Sequence, residues 1–375
     1  MNTTSISRRR FAQLLGAGAA VAVVKPALTI AREATARPVT AAVVRLSSNE
    51  NPYGPSPRAL NAITDAFSLA CRYPDEHADL LVAALARSEG VKPDQILLGA
   101  GSGEILKICA TAFTGRSQQP GGGTLVVADP TFEAIIAHAS RCGAEVVKVP
   151  LTSSFGHDLS GMAAAAKGGL VYICNPNNPT ASITPKNEIR DFIAKAPRET
   201  MILADEAYHH YVESPDYESV IPLIKDHPNL IVARTFSKIY GMAGMRCGFC
   251  IAQPQTIEQM RPQQLSDSVN ISALVAAIAS LHDPDQLTNG RRLNREARTF
   301  VTRELQSAGY EQIPSHANFV MVNVKRPVVP LIAAMKQRNV QVGRLFPALP
   351  NHMRVTIGKK SEMERFLSAF REVLG

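Results

Sequence analysis

The sequence is short of the features that mark several protein classes. Six cysteines spread over 375 residues are too few for a disulfide scaffold. No apolar run approaches the ~20 residues that a membrane-crossing helix needs, so neither a multi-span protein nor a stable membrane anchor is expected. Charged residues make up only 19% of the chain against 45% hydrophobic ones, which excludes disorder as the main state. Collagen and coiled coil are excluded by composition. The net charge of +8 is not a nucleic-acid signal. Arg8, Arg9, Arg10, Lys25 and Arg32, against Glu33, lie in the first 36 residues, leaving 35 basic and 31 acidic groups in the rest. That remainder holds no Lys/Arg run interleaved with aromatics, so no nucleic-acid partner is expected. The length exceeds the usual single-domain size and implies two domains, or one with an appendage.

Residues 1–36 read as an address. Ser7-Arg8-Arg9-Arg10-Phe11 resembles a twin-arginine export signal. An apolar stretch from Phe11 to Val24 follows, closed by Lys25-Pro26, and Ala34-Thr35-Ala36 fits a small-x-small cleavage site. The expectation is export to the periplasm, with a cytoplasmic location if the signal is not used.

Seven short apolar runs read as buried strands: Gln95–Gly99, Thr124–Asp129, Ala144–Pro150, Leu170–Cys174, Met201–Asp205, Leu230–Thr235 and Arg246–Ala252. Most are continuous Val/Ile/Leu stretches, the pattern of strands covered on both faces. Helical patterns lie between them, clearest at Glu104–Phe113, Thr131–Arg141 and Pro185–Ala196. The fold class is therefore α/β, with an open, mostly parallel sheet. Beyond about Gln286 the pattern changes to a long polar helix (Asn289–Ala308), short strands (Phe319–Val324, Val340–Val342, Met353–Ile357) and a closing helix (Ser361–Leu374), a second, smaller α+β domain. The expected division is a 1–36 signal, a 37–71 arm that belongs partly to the small domain, a 72–284 large domain and a 285–375 small domain.

Polar residues gather where five strands end. Gly99-Ala100-Gly101-Ser102-Gly103, Asp129-Pro130-Thr131-Phe132, Asn175 to Thr180, Asp205-Glu206-Ala207-Tyr208 and Ser237-Lys238 each follow a predicted strand. In open α/β sheets ligands bind at the carboxyl edge, and five such loops on one edge suggest one site. Gly99–Gly103 opens a helix, and free amides there make a phosphate cradle, although a plain turn is the alternative. A dinucleotide fingerprint would need glycine where Glu104 stands, so a smaller phosphorylated cofactor fits better. Asp205, at the end of an apolar strand, either holds a proton on a ring nitrogen or caps a helix. Lys238, near Arg246, has the setting of an imine-forming amine, although an isolated lysine is ordinarily a solvated charge.

Ser237-Lys238-Ile239-Tyr240-Gly241-Met242-Ala243-Gly244-Met245-Arg246-Cys247-Gly248-Phe249 resembles the Schiff-base lysine signature of class I/II aminotransferases, fold-type I enzymes that use pyridoxal 5′-phosphate. The similarity is greatest to the histidinol-phosphate aminotransferase branch. Asn49-Glu50-Asn51-Pro52-Tyr53-Gly54-Pro55, Asn318-Phe319 and Met353-Arg354-Val355-Thr356-Ile357-Gly358 match in order, and the resemblance runs from about Leu46 to the C-terminus. It implies that Lys238 binds the cofactor and moves the proton. Asp205 pairs with the ring nitrogen, Asn178 and Tyr208 bind the phenolic oxygen, and Phe132 stacks on the ring. Gly101, Ser102, Ser237 and Arg246 hold the phosphate, and Tyr73 reaches the phosphate of a neighbouring subunit in a homodimer. Arg354 takes the substrate carboxylate, with Asn51, Tyr53 and Arg344 as further substrate contacts. The implied activity is amino transfer between an amino acid, or a histidinol-phosphate-like amine, and a 2-oxo acid. Other reactions of the same fold (decarboxylase, lyase, racemase, oxidase) and a non-catalytic binding protein are the alternatives.

Two departures stand out. Ala181 follows Thr180 where the family usually has glycine, and Val342-Gly343-Arg344-Leu345-Phe346-Pro347 replaces the usual Val-Arg arrangement ahead of Arg354. Cys247 and Cys250 read as buried, unlinked thiols rather than a redox or metal pair. His209 and His210 read as structural. No metal site is expected.

Overall fold

The computed structural model describes residues 43–114 and 123–374; the expected export signal and Gly121-Gly122 lie outside them. The chain begins with β1 (Val44–Leu46), α1 (Pro57–Asp65) and α2 (Asp75–Glu89). The Ser56 side chain caps α1 by accepting from the Ala59 N–H, and Pro57 occupies the first turn, where its missing N–H costs nothing. There follow β2 (Ile96–Gly99), α3 (Ser102–Thr114), β3 (Thr124–Asp129), α4 (Ala134–Arg141), β4 (Glu145–Pro150), α5 (Leu159–Ala165), β5 (Gly169–Cys174), α6 (Lys186–Lys195), β6 (Thr200–Asp205), β7 (Leu230–Thr235) and β8 (Gly248–Ile251).

β2 to β8 are the seven predicted strands, and they form one sheet in the order β2-β8-β7-β6-β5-β3-β4. β8 runs antiparallel to both neighbours and the other pairings are parallel. Successive side chains alternate between two cores: Ile202 and Ala204 point into one, Leu203 into the other, and the same holds for Val171 and Val126 against Tyr172 and Val127. Burial on both faces explains why these strands read as unbroken apolar runs. The Val, Leu and Ile side chains among them each contribute roughly 1.5–3 kcal/mol by leaving water.

The chain continues through α7 (Pro254–Met260), α8 (Ile271–Leu281), α9 (Pro284–Ser307), β9 (Gln312–Ile313), β10 (Phe319–Asn323), α10 (Val328–Gln337), β11 (Val340–Val342), β12 (His352–Thr356) and α11 (Lys360–Leu374). β12-β10-β9 form an antiparallel sheet, and β1 pairs in parallel with β11. Their apolar residues form a third core with α9 and α11, centred on Val301, Val322, Val355 and Phe366. This is the smaller domain. The long helix starts at Pro284, capped by Asp283, five residues before the expected Asn289. Within the 37–71 arm, Val44 and Leu46 belong to the smaller domain's core and Ala59 to the large one.

The topology gathers the polar loops. β3, β5, β6 and β7 are mutually parallel, so their carboxyl ends share an edge. β2 is antiparallel to β8, which is antiparallel to β7, and it therefore ends on the same edge. Arg246 precedes β8, which points the other way, so it too stands there.

Candidate active site

At that edge a cavity of ≈ 740 Å³ opens between the large sheet and the smaller domain. It brings together Ser102, Phe132, Asn178, Asp205, Tyr208, Ser237, Lys238, Arg246, Arg344 and Arg354, ten of the fourteen residues expected from the sequence. Gly101 stands immediately beside it, and Gly103 lines it.

Asp205 ends β6 with 2% exposure. Its Oδ2 accepts from the Tyr172 hydroxyl at 2.8 Å and its Oδ1 from the Ala207 N–H at 3.1 Å. Burial raises its pKa, while those two hydrogen bonds and Lys238 act to lower it. Lys238 is held by a hydrogen bond from Nζ to the Asn49 carbonyl at 3.1 Å, and the ammonium lies 5.4 Å from the Tyr208 ring centroid. Its pKa is pulled down to about 8, first by burial and then by the charge of Arg354. The Tyr208 hydroxyl accepts from Asn49 Nδ2 at 3.0 Å and from Asn178 Nδ2 at 3.4 Å, and its ring meets Phe319 edge-on at 5.2 Å.

Arg246 adopts φ +60°, which turns its guanidinium back over the loop after β2. Nη1 donates to Ser237 Oγ at 3.3 Å and to the Ala243 carbonyl at 2.8 Å; Nη2 donates to the Ala100 carbonyl at 3.4 Å. Gly101 is at φ +79°, and a Cβ there would stand 2.9 Å from Arg246 Cζ. Only glycine allows the guanidinium to approach the helix start this closely. The α3 N-terminus, a serine hydroxyl and a guanidinium thus converge, a donor set made for a phosphate.

Arg354, on β12, is buried. Nη1 donates to Asn178 Oδ1 at 2.7 Å and Nη2 to the Ser47 carbonyl at 2.6 Å, while Nε is buried without a partner. Its charge faces neutral acceptors, a setting that favours an anionic ligand. Ala181 adopts φ +61°, so the turn after Asn178 keeps the left-handed conformation that glycine usually supplies.

Three expected residues lie outside the cavity. Asn51 Nδ2 donates to the Ile239 carbonyl at 2.8 Å, tying the N-terminal arm to the lysine loop. Tyr53 lies under the Lys359 ammonium at 5.7 Å, and Tyr73 is 82% exposed. Sequence reasoning missed Tyr172 and gave Asn49 no role. A tyrosine inside a fully buried strand needs a partner for its hydroxyl, and that was the available signal for Tyr172. Asn49, at φ +54°, offered no comparable one. His209 and His210 are not among the lining residues. Cys247 and Cys250 are free, buried thiols.

Residues 41–370 match the family described as aminotransferase class I and II. The chain belongs to that family. The histidinol-phosphate aminotransferase of Moorella thermoacetica is 37% identical to it over 337 residues, covering 88% of this chain and 86% of that protein. Histidinol-phosphate aminotransferase 2 of Pseudomonas fluorescens is 36% identical over 353 residues, 93% of each chain. The crystal structure of histidinol-phosphate aminotransferase from Sinorhizobium meliloti in complex with pyridoxal-5′-phosphate matches with a TM-score of 0.81 at 29% identity, covering 88% of this chain and 91% of that one. The architecture is that of a fold-type I transferase, and the chain is an enzyme, an aminotransferase. Its cavity fits the cofactor of the class: a phosphate cradle, a buried carboxylate without a cationic partner and a buried amine stand on one edge.

Proposed function

We propose that this cavity binds pyridoxal 5′-phosphate and moves an amino group from an anionic amine donor to a 2-oxo acid. What carries the reading is that one cavity buries both Lys238 and Asp205 while their hydrogen bonds go to neutral groups, the Asn49 carbonyl, the Tyr172 hydroxyl and the Ala207 N–H. When bound, pyridoxal phosphate supplies an exchangeable aldehyde and an electron-accepting ring.

The residues divide the remaining work. With a pKa of about 8, Lys238 has an appreciable neutral fraction near neutral pH and serves as nucleophile and proton carrier at Nζ. Asp205, costly as a buried lone anion, is matched by a protonated ring nitrogen. Tyr208 and Asn178 hold a phenolic oxygen, and the Gly101–Ser102 amides with Ser237 and Arg246 hold the phosphate. Arg354 binds the donor's carboxylate or other acidic group. Asn51 acts through the lysine loop that it ties down, rather than by touching substrate.

Two copies pair, in this reading, through the segment that bears Leu60, Phe67, Tyr73 and Leu80, which are 49%, 66%, 82% and 56% exposed. Large apolar side chains left exposed within one short segment are a feature of interaction surfaces. Tyr73 then reaches the partner's phosphate site. Export through a twin-arginine signal is supported by the order of charged, apolar and small residues in 1–36 and by a family match that starts at residue 41.

The test is a half-reaction. The purified chain, loaded with pyridoxal phosphate, is mixed with single amino acids and with histidinol phosphate while the visible absorbance is followed. Loss of the cofactor's aldehyde absorbance, restored by a 2-oxo acid, supports the proposal. Loss of carbon dioxide from the donor, or no spectral change with any amine, contradicts it.

A further inference from the structure

The two arginines that the smaller domain places in the cavity are not equivalent. Arg354 is buried and bonded to neutral acceptors. Arg344, in the loop after β11, is already matched: its Nη2 donates to Glu133 Oε2 at 2.5 Å. Both guanidiniums stack on one ring, Arg344 at 4.4 Å and Arg354 at 5.0 Å from the Phe346 centroid. Glu133 follows Phe132 in the loop after β3, so this ion pair links the large sheet to the smaller domain beside the cavity. Ile332 and Val342 complete the wall from the smaller domain.

Backbone packing fixes this arrangement. A Cβ at Gly343 would stand 2.9 Å from both Arg354 Cβ and the Arg354 carbonyl oxygen, and the Gly343 N–H donates to that oxygen at 2.8 Å. Position 343 therefore carries no side chain toward Arg354. The next residue, Arg344, supplies the second cation and meets a carboxylate of this same chain. A second anionic group on the substrate would have to displace Glu133 or lie against it, and like charges side by side are a means of rejection. An uncharged side chain meets Ile332, Val342 and the Phe132 ring without that conflict.

We propose that Glu133 is a specificity-determining residue: by neutralising Arg344 it selects substrates whose side chain is uncharged, apolar or aromatic over those carrying a second anionic group. This rests on the assignment of Arg354 to the substrate's first acidic group. Both partners are about half exposed, with side-chain exposures of 54% and 50%, so the pair adds little to folding and Glu133 can be replaced without unfolding the loop.

The experiment uses the pyridoxal-phosphate-loaded enzyme and compares half-reaction kcat/KM for phenylalanine and leucine with that for glutamate and aspartate. The unsubstituted enzyme prefers the uncharged pair. Glu133→Gln raises the glutamate-to-phenylalanine ratio by about two- to fivefold, the scale of one partly screened charge contact. The double variant Glu133→Gln/Arg344→Gln returns the ratio to its starting value. Retention of the bound-cofactor absorbance shows that each variant is folded. A preference of the unsubstituted enzyme for glutamate or aspartate, or a ratio that Glu133→Gln does not move, overturns this inference alone. Failure of every amine to react overturns the proposed function and this inference with it.

Discussion

Arg354 donates to Asn178 at 2.7 Å, so a strand of the smaller domain is hydrogen-bonded to the loop that ends the central β5 strand. The same asparagine donates to Tyr208, which lies over Lys238. Two hydrogen bonds and one cation–π contact therefore join Arg354, the proposed carboxylate site, to Lys238, the proposed catalytic amine. Arg354→Lys, which loses the planar fork, is expected to raise KM for the amino acid at least about tenfold, the worth of one charged hydrogen bond. Steady-state kinetics with the loaded enzyme checks it, and an unchanged KM would show that the carboxylate binds elsewhere.

The pH dependence follows from Lys238. Its neutral form is the proposed nucleophile, and its pKa lies near 8 because burial and Arg354 disfavour the charged form. Cofactor attachment by the empty enzyme should slow as pH falls through about 8 and level off above it. Arg354→Gln removes one of the three lowering influences, burial, Arg354 and Arg246, and should move the midpoint upward. Stopped-flow absorbance at a series of pH values measures both. Identical midpoints for the two proteins would contradict the coupling.

Gly343→Ala tests the close packing beside Arg354. The added methyl meets backbone as well as side chain, so relief requires β11 or β12 to move. The expected cost is about 1–3 kcal/mol, with a rise in KM through displacement of Arg354. A variant with unchanged urea midpoint and KM would show that the strand gap is wider than described.

Beneath the site, Arg234 pairs with Glu206 at 2.7 Å and Glu89 at 2.8 Å, with side-chain exposures of 5%, 4% and 15%. Glu206 also accepts from the Val220 N–H at 2.8 Å and the Ser219 hydroxyl at 2.8 Å. Glu206→Ala leaves the buried guanidinium with Glu89 alone of its two carboxylates and should cost about 1.5–3 kcal/mol, the worth of a charged hydrogen bond, in urea unfolding of the cofactor-free chain. A loss below 1 kcal/mol would mean that water reaches Arg234.

The large sheet was legible because burial on both faces leaves unbroken apolar runs such as Leu230–Thr235, and because chemistry clusters where they end. β1 was not legible. It spans Val44–Leu46, and its partner β11 lies about 300 residues away, so nothing local announces it. α8, Ile271–Leu281, is apolar around most of its circumference and shows no clear amphipathic stripe; its start is set by Asn270 accepting from the Ala273 N–H at 2.9 Å. In the site, Lys238, Asp205 and Arg354 carried motif signals. Glu133 carried none, because its meaning comes from Arg344, brought to it by the packing of the smaller domain.

The most direct test is to locate the bond. The enzyme is loaded with pyridoxal phosphate, reduced with borohydride and digested, and the modified peptide is identified by mass spectrometry. The account predicts a single adduct on Lys238, absent from Lys238→Ala. An adduct on another lysine, or one that persists undiminished in Lys238→Ala, would contradict it.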